Sequence, residues 1–448
     1  MERARVKAER GWGARPALWP LAGALALLLS GPAQATLFDP HYVRSDTLPN
    51  GLRVIVEEDK GASVVAVEVV VKVGVADEPA DQGGIAHLLE HMLWAAGGEA
   101  DPRAEIEDLG GVTNAGTLRD LTHFYATVPA GNLDLAVRSL ARVVLRGEFE
   151  EGVMARERQM ISDESAMRGD DPRTRLNDLA FATLYRGHPY ARRLEGTGAS
   201  LAAIDAVKLG AFYRAWYVPN NIAVVIAGEV QFDAAVAAVS AAFGHLTPAP
   251  IPARGWAEPA RPAASGGAVI GTDSPKGYVM AAFIGPAMSE PTAVCATDVL
   301  TVLLSNSTFG RLRGRVLEAG LAEAAGVDFL TQRDRALVGA WAICEPERLE
   351  EVKQAIQREL ARLAEAPVSP KELMVAKRLA AAGYSFANET PSDRANTLAF
   401  YEALGNYREA SEYPQRLRGL IPEQVQQVAQ WYAGEPAWIV LAPKGRGK

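Results

Sequence analysis

The feature that most constrains the fold is an internal repeat, because two stretches of the chain match when they are offset by 215 residues. At this offset Trp216-Tyr217 aligns with Trp431-Tyr432, and the apolar stretch AVVIAG aligns with WIVLAP. The same offset places the stretch GLRVI opposite GGAVI. Self-similarity over this spacing predicts a duplicated domain of about 200 residues.

Two globular halves are therefore predicted, residues 36–247 and residues 266–448. The stretch 248–265 between them is rich in Pro, Ala and Gly, as is typical of a linker. In each half β-rich segments come first and amphipathic helices follow. This order favours an α+β fold with two homologous domains, each a mainly antiparallel sheet with helices packed on one face. A chain of 448 residues, 48% of them hydrophobic, is long enough to bury two such cores.

Residues 1–35 have the layout of a secretory signal peptide. Basic residues precede the apolar run ALWPLAGALALLLS, and the small residues AQA end at Ala35. The alternative is a membrane anchor, but the run is short compared with the roughly 20 residues of a membrane span. We therefore expect a periplasmic or secreted protein with no membrane segment after cleavage.

The charge and the cysteines narrow the functional classes. A net charge of −8, without a basic patch interleaved with aromatic residues, argues against a nucleic-acid partner. Cys295 and Cys344 are too few to build a thiolate zinc site. In an oxidising compartment they could form a disulfide, and the alternative is that both are small core residues.

The segment GIAHLLEHML places two histidines and a glutamate on one face of a predicted helix. His87, Glu90 and His91 are spaced i, i+3 and i+4, so their side chains are neighbours. Burial of such a cluster is unfavourable unless a partner satisfies it, because polar groups lose their hydration. Two imidazoles with this spacing can bind one zinc ion at about 2.0–2.1 Å. The alternative is a structural pair or a chance cluster.

A catalytic zinc site needs a third protein ligand and an open position. The segment ARERQMISDES offers Glu157 and Glu164, which are seven residues apart and share a helix face. Taken alone, these acids are typical of a solvated helix surface, but beside the histidine pair they favour a metal site. The repeat offset carries the histidine motif onto Val302, Ser305 and Asn306, so metal chemistry is predicted in the first half alone.

The motif order His-x-x-Glu-His is typical of the inverted zincins. Further segments match in order: GLRVIVEED, GIAHLLEHMLWAAGG, the Gly-Gly-x-x-Asn-Ala-x-Thr stretch within IEDLGGVTNAGTLRDLTHFYATVP, ARERQMISDES and HPYARRLEGT. Through these segments the chain resembles the insulinase/pitrilysin family of zinc peptidases, and in particular its smaller two-domain branch that includes mitochondrial processing peptidase. The resemblance implies a clamshell of two halves around a chamber.

The resemblance also assigns roles within the site. It implies one Zn²⁺ per chain, bound by His87, His91 and Glu164. Glu90 would be the general base, which takes a proton from the attacking water and returns it to the leaving amine. Glu157 would be a second catalytic acid, hydrogen-bonded near the metal.

Peptide substrates would bind as an added strand on a sheet edge beside the metal. By resemblance, that edge contains Asn114, Ala115 and Thr117. Arg315 matches a substrate-binding Arg of active single-chain relatives, but the Tyr seven residues later falls on Ala322. Of the expected Arg/Tyr pair that contacts substrate, this chain therefore has only the Arg.

This departure leads to a prediction about partners. We expect an exported zinc endopeptidase that is the zinc-bearing subunit of a heterodimer, with the Arg/Tyr pair on a homologous subunit. A homodimer and a chain that is active alone are the alternatives in assembly. The alternative in function is a non-catalytic binding or scaffold subunit that kept the zinc helix for stability.

Overall fold

The computed structural model describes residues 42–95, 101–260 and 266–444. The predicted signal peptide, residues 1–35, lies outside these ranges. Within them, no helix combines the length and the apolar character needed to cross a bilayer.

The first half of the chain builds a six-stranded sheet with the strand order β1-β2-β6-β3-β5-β4. All neighbouring strands pair antiparallel except β2 and β6, which are parallel. The order leaves β4 at one edge. The strands are β1 (Val43–Thr47), β2 (Arg53–Glu58), β3 (Val64–Val71), β4 (Val112–Thr117), β5 (Thr122–Pro129) and β6 (Ile222–Gly228).

The second half builds a five-stranded sheet with the order β7-β11-β8-β10-β9, in which only β7 and β11 pair in parallel. Strands β7, β10 and β11 begin 215 residues after β2, β5 and β6, the offset found in the sequence. The strands are β7 (Ala268–Thr272), β8 (Gly277–Ile284), β9 (Ala324–Phe329), β10 (Leu337–Cys344) and β11 (Ala437–Pro443).

Helices cover both sheets. Those of the first half are α1 (Ile85–Trp94), α2 (Pro102–Asp108), α3 (Leu133–Val144), α4 (Glu151–Gly169), α5 (Pro172–Leu184), α6 (Gly198–Ala202), α7 (Ala206–Trp216) and α8 (Phe232–Phe243). Those of the second half are α9 (Pro291–Ser305), α10 (Leu349–Glu365), α11 (Pro370–Phe386), α12 (Pro391–Leu404), α13 (Glu409–Gly419) and α14 (Pro422–Trp431). The predicted α+β architecture with two homologous domains is confirmed.

The two halves exchange one helix each. Helix α12 of the second half packs on β3 and β6 of the first sheet, and α5 of the first half packs on β8 and β11 of the second. Each sheet therefore has helices of its own half on one face and a helix of the other half on the opposite face, whereas helices on one face only were predicted. Strand β3 accordingly reads as a nearly continuous apolar run and is buried along almost its whole length.

Polar contacts reinforce this exchange. Arg394 of α12 donates to Glu57 Oε2 at 2.7 Å and to Asp59 Oδ2 at 2.6 Å. At another point of the junction, Tyr190 donates to the carboxylate of Asp120, and Arg333 of the second half lies 3.1 Å from the same carboxylate. Most of these groups are buried, so the two halves of one chain form a single packed unit.

The predicted linker is anchored to both halves. Arg254 donates to Asp77 Oδ1 at 2.7 Å, and Trp256 donates to Asp334 Oδ2 at 2.7 Å. Residues 261–265 lie outside the described ranges. The segment 248–265 thus separates the two repeats along the sequence. It does not separate two independently packed domains, because the halves exchange helices.

Both cysteines are buried free thiols, Cys295 in α9 and Cys344 at the end of β10. Burial raises the pKa of each thiol above its ordinary value, to about 11 for Cys344. The structure therefore favours the core interpretation of these residues over a disulfide.

Candidate metal centre

Helix α1, which carries the histidine motif, begins at an interlocked pair of glycine turns. Gly84 and Gly196 have φ angles of 91° and 68°, in the region that favours glycine. A Cβ atom on Gly196 would lie 2.2 Å from the carbonyl oxygen of Gly83. The carboxylate of Glu78 accepts hydrogen bonds from the backbone N–H groups of Gly84 and Ala86, both at 3.0 Å. These contacts fix the first turn of α1 and hence the direction of the histidines.

Helix α4 presents both glutamates to α1. Its buried residues are Met154, Glu157 and Ile161, which form one narrow stripe along the helix. Glu164 continues this stripe by one further turn. The stripe packs against α1, so the two acids that the sequence predicted reach the side of α1 that bears the histidines.

The predicted ligands converge. Nε2 of His87 and Nε2 of His91 each lie 3.7 Å from Oε2 of Glu164, and one ligand atom from each of the three residues lies within 4.8 Å of the others. Tetrahedral zinc with bonds of about 2.0–2.1 Å requires ligand separations of roughly 3.4 Å. The three residues therefore fit a zinc ion after small side-chain adjustments. Across the described residues, no other trio of His, Cys, Asp and Glu meets this spacing.

The electrostatics of the three ligands suit a divalent cation. Burial lowers the pKa of His87, so this imidazole is neutral and able to bind metal at neutral pH. Burial also disfavours the charged form of His91, but its hydrogen bond with Glu157 and the nearby Glu164 carboxylate outweigh it and raise the pKa of His91 to about 10. The nearby His91 in turn lowers the pKa of Glu164, which is therefore ionised.

Glu157 contacts His91 rather than the metal position. Its Oε2 lies 3.2 Å from Nδ1 of His91, so Nδ1–H can donate to Glu157 while Nε2 faces Glu164. Carboxylates in this position fix the tautomer and orientation of a metal-binding histidine. Glu157, predicted as a catalytic acid, is therefore placed as a positioning residue. Nδ1 of His87 is buried and has no hydrogen-bond partner among the described atoms.

Glu90 connects the metal centre to the edge of the first sheet. The hydroxyl of Thr117 donates to Oε2 of Glu90 at 2.7 Å. Thr117 ends β4, the edge strand, and α1 packs against that strand. The predicted base, which is largely buried, is thus held beside both the ligand cluster and the strand predicted to bind substrate.

The other predicted substrate residues lie on the same edge. Asn114 and Ala115 are half-buried in β4, which pairs with β5 along one side only. Such an edge offers backbone N–H and C=O groups to an added strand. Oδ1 of Asn114 accepts from the backbone N–H of Ala115 at 2.9 Å, a local bond that orients this side chain.

Arg315 does not join the metal centre. It lies in a π-helical turn of the second half, Arg313–Leu317, and its Nε is 3.5 Å from Oε1 of Glu359 in α10. No described ion pair or hydrogen bond connects Arg315 to the ligand cluster. Ala322 lies in the same half, just before β9. Its predicted role in binding substrate stays a prediction.

Several residues that build the site were not predicted as part of it. Glu78 and Gly196 position α1, and Glu195 is buried and ion-paired with Arg168 at 2.9 Å, close enough to His87 to favour its charged form. The block HPYARRLEGT contains Gly196 and Glu195, so the sequence resemblance did mark this segment without giving its role. Its role is to pack against the start of α1.

Two family models match the chain, one after the other. Residues 53–198 match the family described as Insulinase (Peptidase family M16), and residues 203–379 match the Peptidase M16 inactive domain. A protein named uncharacterized zinc protease from Mycobacterium leprae is 31% identical over 393 residues, 86% of this chain and 87% of that protein.

Two further likenesses cover much of the chain. The probable mitochondrial-processing peptidase subunit beta of Arabidopsis thaliana is 30% identical over 335 residues, 72% of this chain and 63% of that protein. The structure of a protease from Helicobacter pylori has a TM-score of 0.81, with 24% identity over 90% of this chain and 99% of that one. Both family matches, the extended likeness to a zinc protease and the convergence of two histidines with a glutamate lead to one conclusion: the chain belongs to the insulinase family, peptidase family M16.

Proposed function

We propose that this protein is an exported zinc-dependent endopeptidase that cleaves peptides or unfolded proteins. The observation that carries the proposal is the convergence of His87, His91 and Glu164 beside Glu90. A scaffold would need the three ligands for stability, but it would not need a carboxylate held next to them. Thr117 holds that carboxylate at the sheet edge where an extended peptide would bind.

The metal would supply Lewis-acid chemistry, which polarises the scissile carbonyl and lowers the pKa of water. Glu90 supplies the proton transfers. Because Thr117 occupies Oε2 of Glu90, the second oxygen, Oε1, accepts the proton of the attacking water and passes it to the leaving amine. Glu157 holds the ring of His91 in the orientation that directs Nε2 toward Glu164.

The edge strand β4 aligns the substrate. A peptide added to β4 would form main-chain hydrogen bonds with it, which favours extended segments and discriminates weakly between side chains. Folded proteins do not offer such segments. This binding mode therefore favours short or unfolded peptides.

We also propose that the active form is a heterodimer in which this chain is the zinc-bearing subunit. The exchanged helices α5 and α12 tie the two halves of one chain together. Arg315 pairs with Glu359 of its own half, and Ala322 stands at the position expected for the Tyr. Residues that reach over the substrate would then come from a homologous chain, and one relative is itself named a subunit beta.

The experiment begins with metal analysis of the purified protein, which should give one zinc per chain. The variant Glu90→Gln should keep that zinc and lose hydrolysis of a mixed peptide library by at least about a hundredfold. Each protein is assayed alone and with a co-encoded homologue. Zinc without hydrolysis in both assays would support the scaffold alternative, and normal turnover by Glu90→Gln would exclude Glu90 as the base.

Export is tested separately, by mass spectrometry of the protein in cell fractions. Mature protein that begins after Ala35 in the periplasm or the medium would support it. Uncleaved protein in the cytoplasm would contradict it and leave the peptidase proposal intact.

A further inference from the structure

The second half contains a groove of about 630 Å³ that begins three residues beyond Asn306, the repeat counterpart of His91. The repeat offset relates the histidine motif of α1 to the end of α9. There the side chains at the motif positions bind backbone N–H groups. The hydroxyl of Ser305 accepts from the N–H of Val327, and Oδ1 of Asn306 accepts from the N–H of Thr308. The groove begins directly after these residues, at Phe309.

Arginines are the main polar residues of this groove. Arg311, Arg315 and Arg362 line it, together with Glu359 and the ring of Phe309. The first half thus presents two imidazoles and a carboxylate that suit a cation. The second half presents three guanidinium groups in the groove that follows the counterpart of the histidine motif, and these suit an anion.

The arginines are only partly neutralised by carboxylates. Arg311 donates to Oε1 of Glu372 from two nitrogens, at 3.1 and 2.9 Å. Arg362 donates to Oε1 of Glu359 at 2.6 Å, and the same oxygen lies 3.5 Å from Nε of Arg315. Three guanidinium groups thus share two carboxylates, which leaves one positive charge in excess.

Arg315 is the guanidinium most accessible to a ligand. Its side chain is 64% exposed, whereas that of Glu359 is 5% exposed and fixed beneath it. The turn that carries Arg315 is π-helical, a geometry that occurs frequently at functional sites. Phe309, 38% exposed, gives the groove an apolar wall.

We propose that this groove binds the carboxylate of an acidic peptide. A guanidinium forms two parallel hydrogen bonds with a carboxylate, and a single excess positive charge matches a singly charged group better than a phosphate. The apolar wall contacts the methylene groups or backbone of the same peptide. This inference rests on the groove alone, so it holds or fails independently of zinc and hydrolysis.

Binding is tested by fluorescence anisotropy with the zinc-loaded Glu90→Gln variant, and mass spectrometry after each titration checks that the peptides are intact. Three labelled decapeptides are compared at low ionic strength: Glu-rich with an amidated end, Gln-rich with an amidated end, and Gln-rich with a free C-terminal carboxylate. The Glu-rich peptide should bind at least tenfold more tightly than the amidated Gln-rich peptide. Tighter binding of the free-ended peptide alone would assign the carboxylate to the peptide C-terminus.

Arg315→Ala and Arg362→Ala, added singly, should each weaken binding of the preferred peptide five- to tenfold. Arg348→Ala is the matched control, because it removes the same charge about 21 Å away along the axis of α10. Its side chain is 46% exposed and pairs with Glu351, so binding should change less than twofold. Equal binding of all three peptides, or an equal loss in all three arginine variants, would overturn the proposal.

Discussion

Glu157 in α4 and Glu372 in α11 lie 215 residues apart, and each accepts a hydrogen bond from a nitrogen-containing side chain. The donor belongs to the metal centre in the first half and to the arginine-lined groove in the second. Glu157 contacts Nδ1 of His91, and Glu372 contacts Nε and Nη2 of Arg311. In the first half the acid orients a metal ligand. In the second half it pairs with an arginine, so the repeat retains the carboxylate while its partner changes from an imidazole to a guanidinium.

The first prediction concerns the role of Glu157. Glu157→Gln should weaken zinc binding, corrected for proton competition at His91, about 10–100-fold, because the charge that orients His91 is removed while the shape is retained. Asp163→Asn, an exposed residue of the same helix, makes the same change in charge and should leave the affinity unchanged. Competition with a zinc chelator measures both. Equal zinc affinities in the two variants would show that Glu157 does not support zinc binding.

The second prediction is that zinc binding releases about one proton per ion near pH 8. Without metal, His91 keeps its proton up to a pKa of about 10, above its ordinary value of 6.5. His87 has a lowered pKa and is already neutral, and Glu164 is already ionised. Affinity should therefore rise about tenfold per pH unit above about 6.5 and level off near pH 10.

Calorimetry in buffers that differ in ionisation enthalpy gives the number of protons released. A value near zero at pH 8 would show that His91 is neutral in the metal-free protein. The same titration on Glu157→Gln should release fewer protons, since the partner that raises the pKa of His91 has lost its charge.

The third prediction separates orientation of the base from metal binding. Thr117→Val removes the donor to Glu90 and should lower kcat about 10–100-fold, as expected for a lost hydrogen bond to a charged group, with zinc content unchanged. Thr113→Val is the control on the same face of β4, because its hydroxyl donates to the carbonyl of Tyr125 instead. A change confined to KM would mean that Thr117 acts on substrate binding.

The fourth prediction tests the interlocked glycines. Gly196→Ala should destabilise the fold by about 2 kcal/mol or more, because it forces a left-handed residue to accept a side chain and places Cβ 2.2 Å from the Gly83 oxygen. Zinc binding should weaken as α1 shifts. Gly198→Ala, where a Cβ meets no atom within 4 Å, should change neither quantity. Thermal unfolding and chelator competition measure the pair.

The fifth prediction concerns the exchanged helix α12. Arg394→Ala leaves Glu57 buried without its partner and should lower the free energy of unfolding by about 3–5 kcal/mol at neutral pH. Burial already raises the pKa of Glu57, so the penalty should shrink as the pH falls and the carboxyl becomes neutral. Arg348→Ala, from an exposed pair, should cost less than about 1 kcal/mol.

Urea denaturation followed by tryptophan fluorescence measures these differences. Trp216 lies in the first half and Trp431 in the second. Because the halves exchange helices α5 and α12, both halves should unfold in a single transition. Two separated transitions would mean that each half is stable without the helix it receives.

Local patterns predicted the parts of the site that lie within one or two helices. The i, i+4 spacing of His87 and His91, and the seven-residue spacing of Glu157 and Glu164, require one face of a helix in each case. The structure brings these faces together. The edge position of Thr117 followed from the resemblance, but its bond to Glu90 joins a strand to a helix and has no signature in spacing.

Contacts between distant segments could not be predicted in this way. Asp120 meets Tyr190 and Arg333, which are 70 and 213 residues further along the chain, and only the folded topology makes them neighbours. Arg315 was placed near the substrate because its sequence position matched a family pattern. Its pairing with Glu359 depends on how α10 packs against the π-helical turn, which the pattern does not encode.

The reciprocal placement of α5 and α12 also limits how such proteins can diverge. Neither copy of the repeat carries all the residues that cover its own sheet. A substitution in α5 or α12 therefore changes the packing against the sheet of the other copy. Replacing one copy with that of a relative would disturb two interfaces, α12 on the first sheet and α5 on the second. The two copies of the repeat have therefore become one structural unit that neither copy can form alone.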